Sequence, residues 1–199
     1  MNTKQRFFCA GLPLLLLSLA SCSTNTISSS QSEPDTLPVY IVHADLASGV
    51  TNADELAAVG QVAVLATATA TRQEPNPVDP TIVATIQSFT INELAWGETA
   101  GKSVEVKFTG GVVNDTERGP YMLQVEGQPQ FTKNHKYFLV LLGPSPDGTY
   151  MVLGGPQGRN EVFQGRLQGV DGVDDPVVSA LDGSDYTTAV RDLQDLASR

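Results

Sequence analysis

Cysteine is missing from almost the whole chain: Cys9 and Cys22 are the only two, and none occurs after residue 22. The remainder therefore has no disulfide framework, no thiolate zinc site and no cysteine nucleophile. Histidine is equally scarce. His43 and His135 are the only two, and neither belongs to an H-E-x-x-H or comparable ligand spacing. Both read as partly exposed bystanders, and no metal site is expected. Basic residues are outnumbered, 12 Lys and Arg against 22 Asp and Glu, for a formal charge of −10. Nucleic-acid binding needs clustered Lys and Arg against phosphate, and so does an electrostatic grip on anionic lipid, so the balance speaks against both. The G-x-S-x-G elbow of serine hydrolases is absent, as is a dinucleotide fingerprint. GGPQG at residues 154–158 has no βαβ setting and reads as a turn. Acidic residues are abundant, but no spacing assigns them catalytic roles. No cofactor is expected.

GETAGKS, residues 97–103, imitates a phosphate-binding loop. A P-loop needs four residues between its first glycine and its Gly-Lys, and then a helix whose N-terminus faces the anion. Only Glu98, Thr99 and Ala100 lie between these glycines. The next residues, Val104-Glu105-Val106-Lys107-Phe108, alternate with strand periodicity. The run before the loop, residues 81–91, is β-branched. Two strands joined by a polar Gly-rich link read as a hairpin. DGVDDP, residues 171–176, gathers oxygen ligands but misses the calcium-loop pattern and reads as a solvated acidic turn.

The N-terminus carries the sharpest signal. Lys4 and Arg6 precede an apolar run from Phe7 that ends near Ser21. A short basic region before an apolar core of this size is a secretory signal peptide. It is too short for a span of ~20 apolar residues, and Pro13 interrupts it. The run ends in Leu19-Ala20-Ser21-Cys22. This resembles the lipobox of bacterial lipoproteins: an aliphatic residue, two small residues, then Cys. The resemblance implies cleavage between Ser21 and Cys22, diacylglycerol on the Cys22 sulfur and often a third acyl chain on the new N-terminus. Two or three chains hold a protein firmly where one does not. The implied partner is thus a membrane, reached through lipidated Cys22. In such lipoproteins an Asp after the Cys retains the protein in the inner membrane. Ser23 here implies the outer membrane in a Gram-negative host. Removal of residues 1–21 takes Lys4 and Arg6 and leaves 10 basic against 22 acidic residues, a balance of −12.

Residues 23–38, rich in Ser, Thr and Pro, read as a flexible tether with a reach of roughly 20–25 Å. Residues 39–168 read as a mainly β domain. A short extended segment at 39–43 precedes a helix capped by Asn52 with Glu55 three residues on. Strand 61–71 places Val62, Val64, Ala66, Ala68 and Ala70 on one face. Residues 73–80 read as a loop by their prolines. In the next strand, Ile82, Ala84 and Ile86 are out of phase with Phe89 and Ile91, and a bulge near Gln87 and Ser88 would reunite them. Residues 104–108 pair back, and Gly110-Gly111 ends that strand. Strands are also expected at 121–125, 150–153 and 161–164. The continuous apolar run YFLVLL at 137–142 is expected to be covered on both faces. The count of about six strands predicts a small OB-like barrel or a β-sandwich. The order also resembles the netrin-like barrel of metalloproteinase inhibitors. There an N-terminal Cys grips the target's zinc, a role an acylated Cys22 cannot take. Residues 169–199 read as an acidic loop to 185, then an amphipathic helix capped by Ser184 or Asp185. That helix stripes Ala189, Val190, Leu193, Leu196 and Ala197 against the barrel.

The expectation is a lipid-anchored envelope protein whose β domain is a binding or assembly module, with a protein partner and no nucleic acid. Trp96, the sole Trp, is equally a candidate partner contact and a cap on the core. The alternative is an envelope hydrolase with an unidentified carboxylate site.

Overall fold

The long β-branched and alternating runs of the middle third become the frame. In the computed structural model, which describes residues 37–43, 49–75 and 82–199, three strands of 14, 14 and 13 residues succeed one another: β2 (Val62–Pro75), β3 (Val83–Trp96) and β4 (Ser103–Asp115). Before them come β1 (Val39–Val42) and helix α1 (Ala53–Val59). After them come β5 (Gly119–Val125), β6 (Lys136–Leu142), β7 (Met151–Val152), β8 (Arg159–Phe163), β9 (Arg166–Gln168), α2 (Pro176–Leu181) and α3 (Tyr186–Ala197). The signal peptide, Cys22 and most of the tether lie outside the described residues, as does much of the 73–80 loop.

The fold is mainly β, with nine strands among the described residues rather than about six. The extended segment expected at 39–43 is strand β1, and β9 is a further strand whose three residues carry too little alternation to register. The order is β1-β5-β4-β3-β2-β6-β8-β9, with β7 on β6. β2, β3 and β4 form an antiparallel meander, and β6 pairs antiparallel with β2. β7 pairs antiparallel with the end of β6. Tyr150, just before β7, then bridges Val106 of β4 in parallel. Its N–H donates to Glu105 O and its carbonyl accepts from Lys107 N, both at 2.8 Å. The pairings β2-β3-β4-Tyr150/β7-β6-β2 thus make a ring.

Where β4 turns its corner, Gly110 and Gly111 take φ of 115° and 138°, which a side chain rarely adopts. They do not end the strand. They mark the point where β4 leaves β3, last paired at Thr109, and takes β5 as its partner from Gly110 onward. β5 in turn carries β1 in parallel at the sheet edge.

The expected bulge is also relocated. β3 runs in unbroken register with β4 through Gln87 and Ser88. The extra residue lies opposite, on β2, where pairing jumps from Ala68↔Phe89 to Thr71↔Gln87. The Phe89 face of β3 therefore buries Thr85 and Gln87, while Ile86 is buried on the other face. Gln87 is kept inside by hydrogen bonds. Its Nε2 donates to Ala70 O at 3.0 Å and its Oε1 accepts from Thr71 Oγ1 at 2.7 Å. The side chain thus serves backbone and hydroxyl groups that the bulge leaves out of the ladder. Ala70, expected inside, is exposed.

β6 is covered on both faces, as its apolar run requires. Tyr137, Leu139 and Leu141 enter the barrel core with Val62, Val64, Ala66, Ala68, Phe89, Val104 and Val106. Phe138 and Val140 face a second core, built by Leu56 and Ala57 of α1, Val177 and Leu181 of α2, and Ala189, Val190 and Leu193 of α3. The α1 cap is as expected: Asn52 Oδ1 accepts from Glu55 N at 2.9 Å. α3 is capped by Asp185, whose Oδ1 accepts from Thr188 N at 3.0 Å. The acidic stretch 169–185 is not wholly loop. Asp175 caps α2 through Val177 N and Val178 N, and Pro176 opens the helix.

Candidate functional site

Residues 97–103 join β3 to β4, an antiparallel pair, and the element that follows directly is strand β4, not a helix. Gly97 has φ 81°, and a Cβ there would collide with Gln61 O, so its glycine serves a tight turn. The GGPQG run reverses the chain between β7 and β8. Gln157 from it is buried, accepting from Val50 N at 2.8 Å and donating to Val50 O and to Asp175 Oδ2, at 2.6 and 2.8 Å. One amide thereby ties the approach to α1 to the cap of α2. Asp175 is thus committed to structure, and among the described residues no three His, Cys, Asp or Glu side chains are grouped to hold a metal ion.

Trp96 ends β3 half-buried. Its indole N–H donates to Gly60 O at 3.0 Å and its ring meets Phe138 edge-on, centroids 6.2 Å apart. It packs on the rim of the helix-side core. His43 is exposed and pairs through Nδ1 with Glu126, linking the end of β1 to the turn after β5. His135 pairs through Nδ1 with Glu161 Oε1 at 2.8 Å. The two histidines thus have different partners and form no joint site.

Several carboxylates are more acidic than usual, and each has a structural cause. Thr51 holds Glu55 low, Arg72 holds Glu105 low, and backbone donors at Arg118 and Glu117 do so for Asp115. Asp147 and Asp185 are lowered by Thr149 and Thr188 respectively. Tyr186 is shifted the other way: burial, and then the charge of Glu93, push its phenol up.

The most unusual polar group is Arg159, at the start of β8 and only 8% exposed. Its guanidinium lies over the ring of Phe131, 3.8 Å from the centroid, and 5.4 Å from that of Tyr137. Phe131 is itself held edge-on by Phe89, Phe108 and Tyr137. The edge of the guanidinium donates to Pro129 O and, at 3.1 Å, to Gln130 O, both from the loop between β5 and β6. Burial pushes its pKa down, opposed by Tyr137 and Glu161, yet an arginine remains charged. Beside it opens a cavity of about 380 Å³, whose walls include Gln130, Tyr137, Arg159, Glu161, Gln168 and Asp171. Sequence pattern does not single out Arg159, because RNEVF has no clean alternation. The one hint in the sequence is a basic residue two positions before Glu161 on a short strand beside the apolar β6.

Comparison with protein-family models finds no match for this chain, and no curated protein or solved structure is detectably similar to it. Its function has to be read from its own residues.

Proposed function

We propose that this is a lipid-anchored protein of a bacterial cell envelope whose β domain serves as a binding or assembly module. The observation that carries the anchor is Leu19-Ala20-Ser21-Cys22 at the end of a basic-then-apolar leader. Among the described residues no helix is long and apolar enough to cross a membrane, and acyl chains on Cys22 would supply the attachment instead. We further read the ring of strands as a small OB-like barrel. Its support is the parallel bridge Val106↔Tyr150, which links a meander of three long strands to a later hairpin. The binding role is supported by a polar cavity with a buried cation in its wall.

The test is the mass of the N-terminal peptide from the membrane fraction, beside a Cys22→Ala control. The expected result is a peptide that starts at Cys22 with added acyl mass, and a control that is soluble or uncleaved. A start elsewhere without lipid overturns the anchor. One observation favours the alternative of an envelope hydrolase: the His135–Glu161 pair, whose carboxylate also walls the cavity. His135 is not among the cavity walls, which is why binding is preferred. A turnover abolished by His135→Ala in a folded protein would reverse that preference.

A further inference from the structure

We infer that the cavity at Arg159 binds a carboxylate group, on a ligand or chain end that carries no second negative charge nearby. The inference deepens the binding-module reading and rests on it.

Three features converge. First, Arg159 is nine-tenths buried, yet among the described residues no carboxylate lies within salt-bridge distance of it. Its two hydrogen-bond acceptors are the neutral carbonyls of Pro129 and Gln130. Buried cations are ordinarily paired, because leaving water is costly for an uncompensated charge. Two of its five N–H donors are used, and the planar fork that remains suits a carboxylate. Second, Gln130 lines the same cavity, and its Nε2 is buried with no hydrogen-bond partner. A donor left over beside a cation calls for the same thing: an anionic acceptor. Third, Glu161 and Asp171 are also in the wall. Glu161 is engaged by His135, while Asp171 adds a negative rim to a protein already at −10. A second negative charge on the ligand would add to that repulsion without a second cation to meet it, so one carboxylate on a neutral or cationic body is favoured over a dianion.

The surroundings fit that shape. Pro129 and Val170, also in the wall, offer an apolar side to the body of the ligand. A volume of about 380 Å³ lies at the small end of ligand pockets, so it would hold a small acid or the last residues of a chain. A free small acid and a peptide C-terminus present the same group, and the experiment separates them.

The full-length protein in detergent is titrated with benzoate, benzamide and succinate, and with acetyl-Ala-Phe as free acid and as amide. Binding is read by calorimetry and by thermal shift. Benzoate is expected to bind on the order of millimolar, with benzamide weaker by about tenfold or more, and succinate weaker than benzoate. If the peptide acid exceeds benzoate by about tenfold, the site takes a chain end; if not, it takes a free small acid. Gln130→Leu is expected to weaken benzoate by about fivefold to tenfold, and Arg159→Met to abolish its binding. Should Arg159→Met fail to fold, the acid–amide comparison on the native protein and Gln130→Leu decide. Equal binding of acid and amide, or succinate binding tighter than benzoate, overturns the inference. The anchor is read separately by the Cys22 peptide mass. A binding role with another ligand class would still show as partner capture that Gln130→Leu leaves unchanged. Failure of the carboxylate site is thereby distinct from failure of the broader reading.

Discussion

The two faces of β6 look onto two cores that treat buried polar groups differently. On the barrel side, Gln87 and Thr85 are buried and paired. Gln87 holds Ala70 O and Thr71 Oγ1, and Thr85 Oγ1 donates to Gly110 O at 2.5 Å. On the helix side, Asn160 is 1% exposed, directly opposite Phe138, and neither its Nδ2 nor its Oδ1 has a partner. The hydroxyl of Tyr186, whose ring meets Phe138 edge-on at 6.1 Å, is also buried, with the Glu93 carboxylate near it but no well-formed hydrogen bond. Polar side chains in the barrel thus satisfy the irregular backbone of a bulge and a corner. Under the helices the match is uneven: Gln157 serves the Val50 backbone and Asp175, whereas Asn160 and the Tyr186 hydroxyl serve no such group. Inside a fold, a polar side chain contributes stability only as far as it matches a group that would otherwise be orphaned.

The largest effect should come from the side chain that organises the helix-side core. Phe138 is fully buried and touches Trp96 and Tyr186. Phe138→Ala should cost about 3–5 kcal/mol, measured by denaturant unfolding. Because β6 belongs to both cores, the loss should appear as one cooperative transition. Two separated transitions would show that the helical layer is an independent unit, and would break the comparison at its root.

Next come paired substitutions that test it directly. Gln87→Leu should destabilise by about 1–3 kcal/mol, because Ala70 O and Thr71 Oγ1 lose their partner. Asn160→Leu removes two unpartnered amide atoms for an apolar side chain of similar size, so its stability should be unchanged or higher by about 1 kcal/mol. Equal losses at both positions would mean the two amides are equally satisfied, and the contrast would fall. Gly111→Ala tests the barrel corner itself. With φ at 138°, and a Cβ that would collide with the Gln73 amide and lie 2.7 Å from Thr85 Oγ1, it should cost about 1–3 kcal/mol.

Much of this arrangement is legible in the residues, for reasons that divide along the same line. β6 announces itself because a strand buried on both faces must be apolar throughout, and YFLVLL is. Asn52 and Glu55 announce α1 because capping chemistry is local. The β3–β4 hairpin is legible through alternation on its second arm. The pattern misleads wherever inward residues are assumed to be apolar. Gln87 and Thr85 point inward, so the phase change between Ile86 and Phe89 imitates a bulge on β3, when the extra residue lies on β2. Gly110-Gly111 resembles a stop because a glycine pair marks a bend, and periodicity does not say whether the strand finds a new partner after bending. α2 is written only in Asp175-Pro176, a cap and then a proline suited to the first turn. Its six residues are hidden in an acidic stretch. Arg159 leaves only a faint mark in the sequence, since its burial depends on a loop 30 residues earlier in the chain.

The smallest effect concerns charge, and it compares the outside of the barrel with the ends of the helices. Arg72 holds Glu105 across the barrel surface through a bidentate pair, one arm at 2.8 Å. Glu55 and Asp185 instead accept donors at helix starts. All three have folded pKa values below their ordinary 4.5 or 3.8. A depressed carboxyl contributes stability that is fully present above its unfolded pKa and is lost as pH falls through its folded one. Stability should therefore hold from neutral pH to the ordinary carboxylate range and decline below it, as tracked by urea midpoints in a pH series. Glu105→Gln should flatten only part of that decline, because the helix caps retain theirs. Exposed pairs are weak and screened by salt, so raising ionic strength should erase the Glu105 share first and spare more of the cap share, whose partners are backbone donors. If salt removed both shares equally, the acid response would be a property of net charge and not of these contacts.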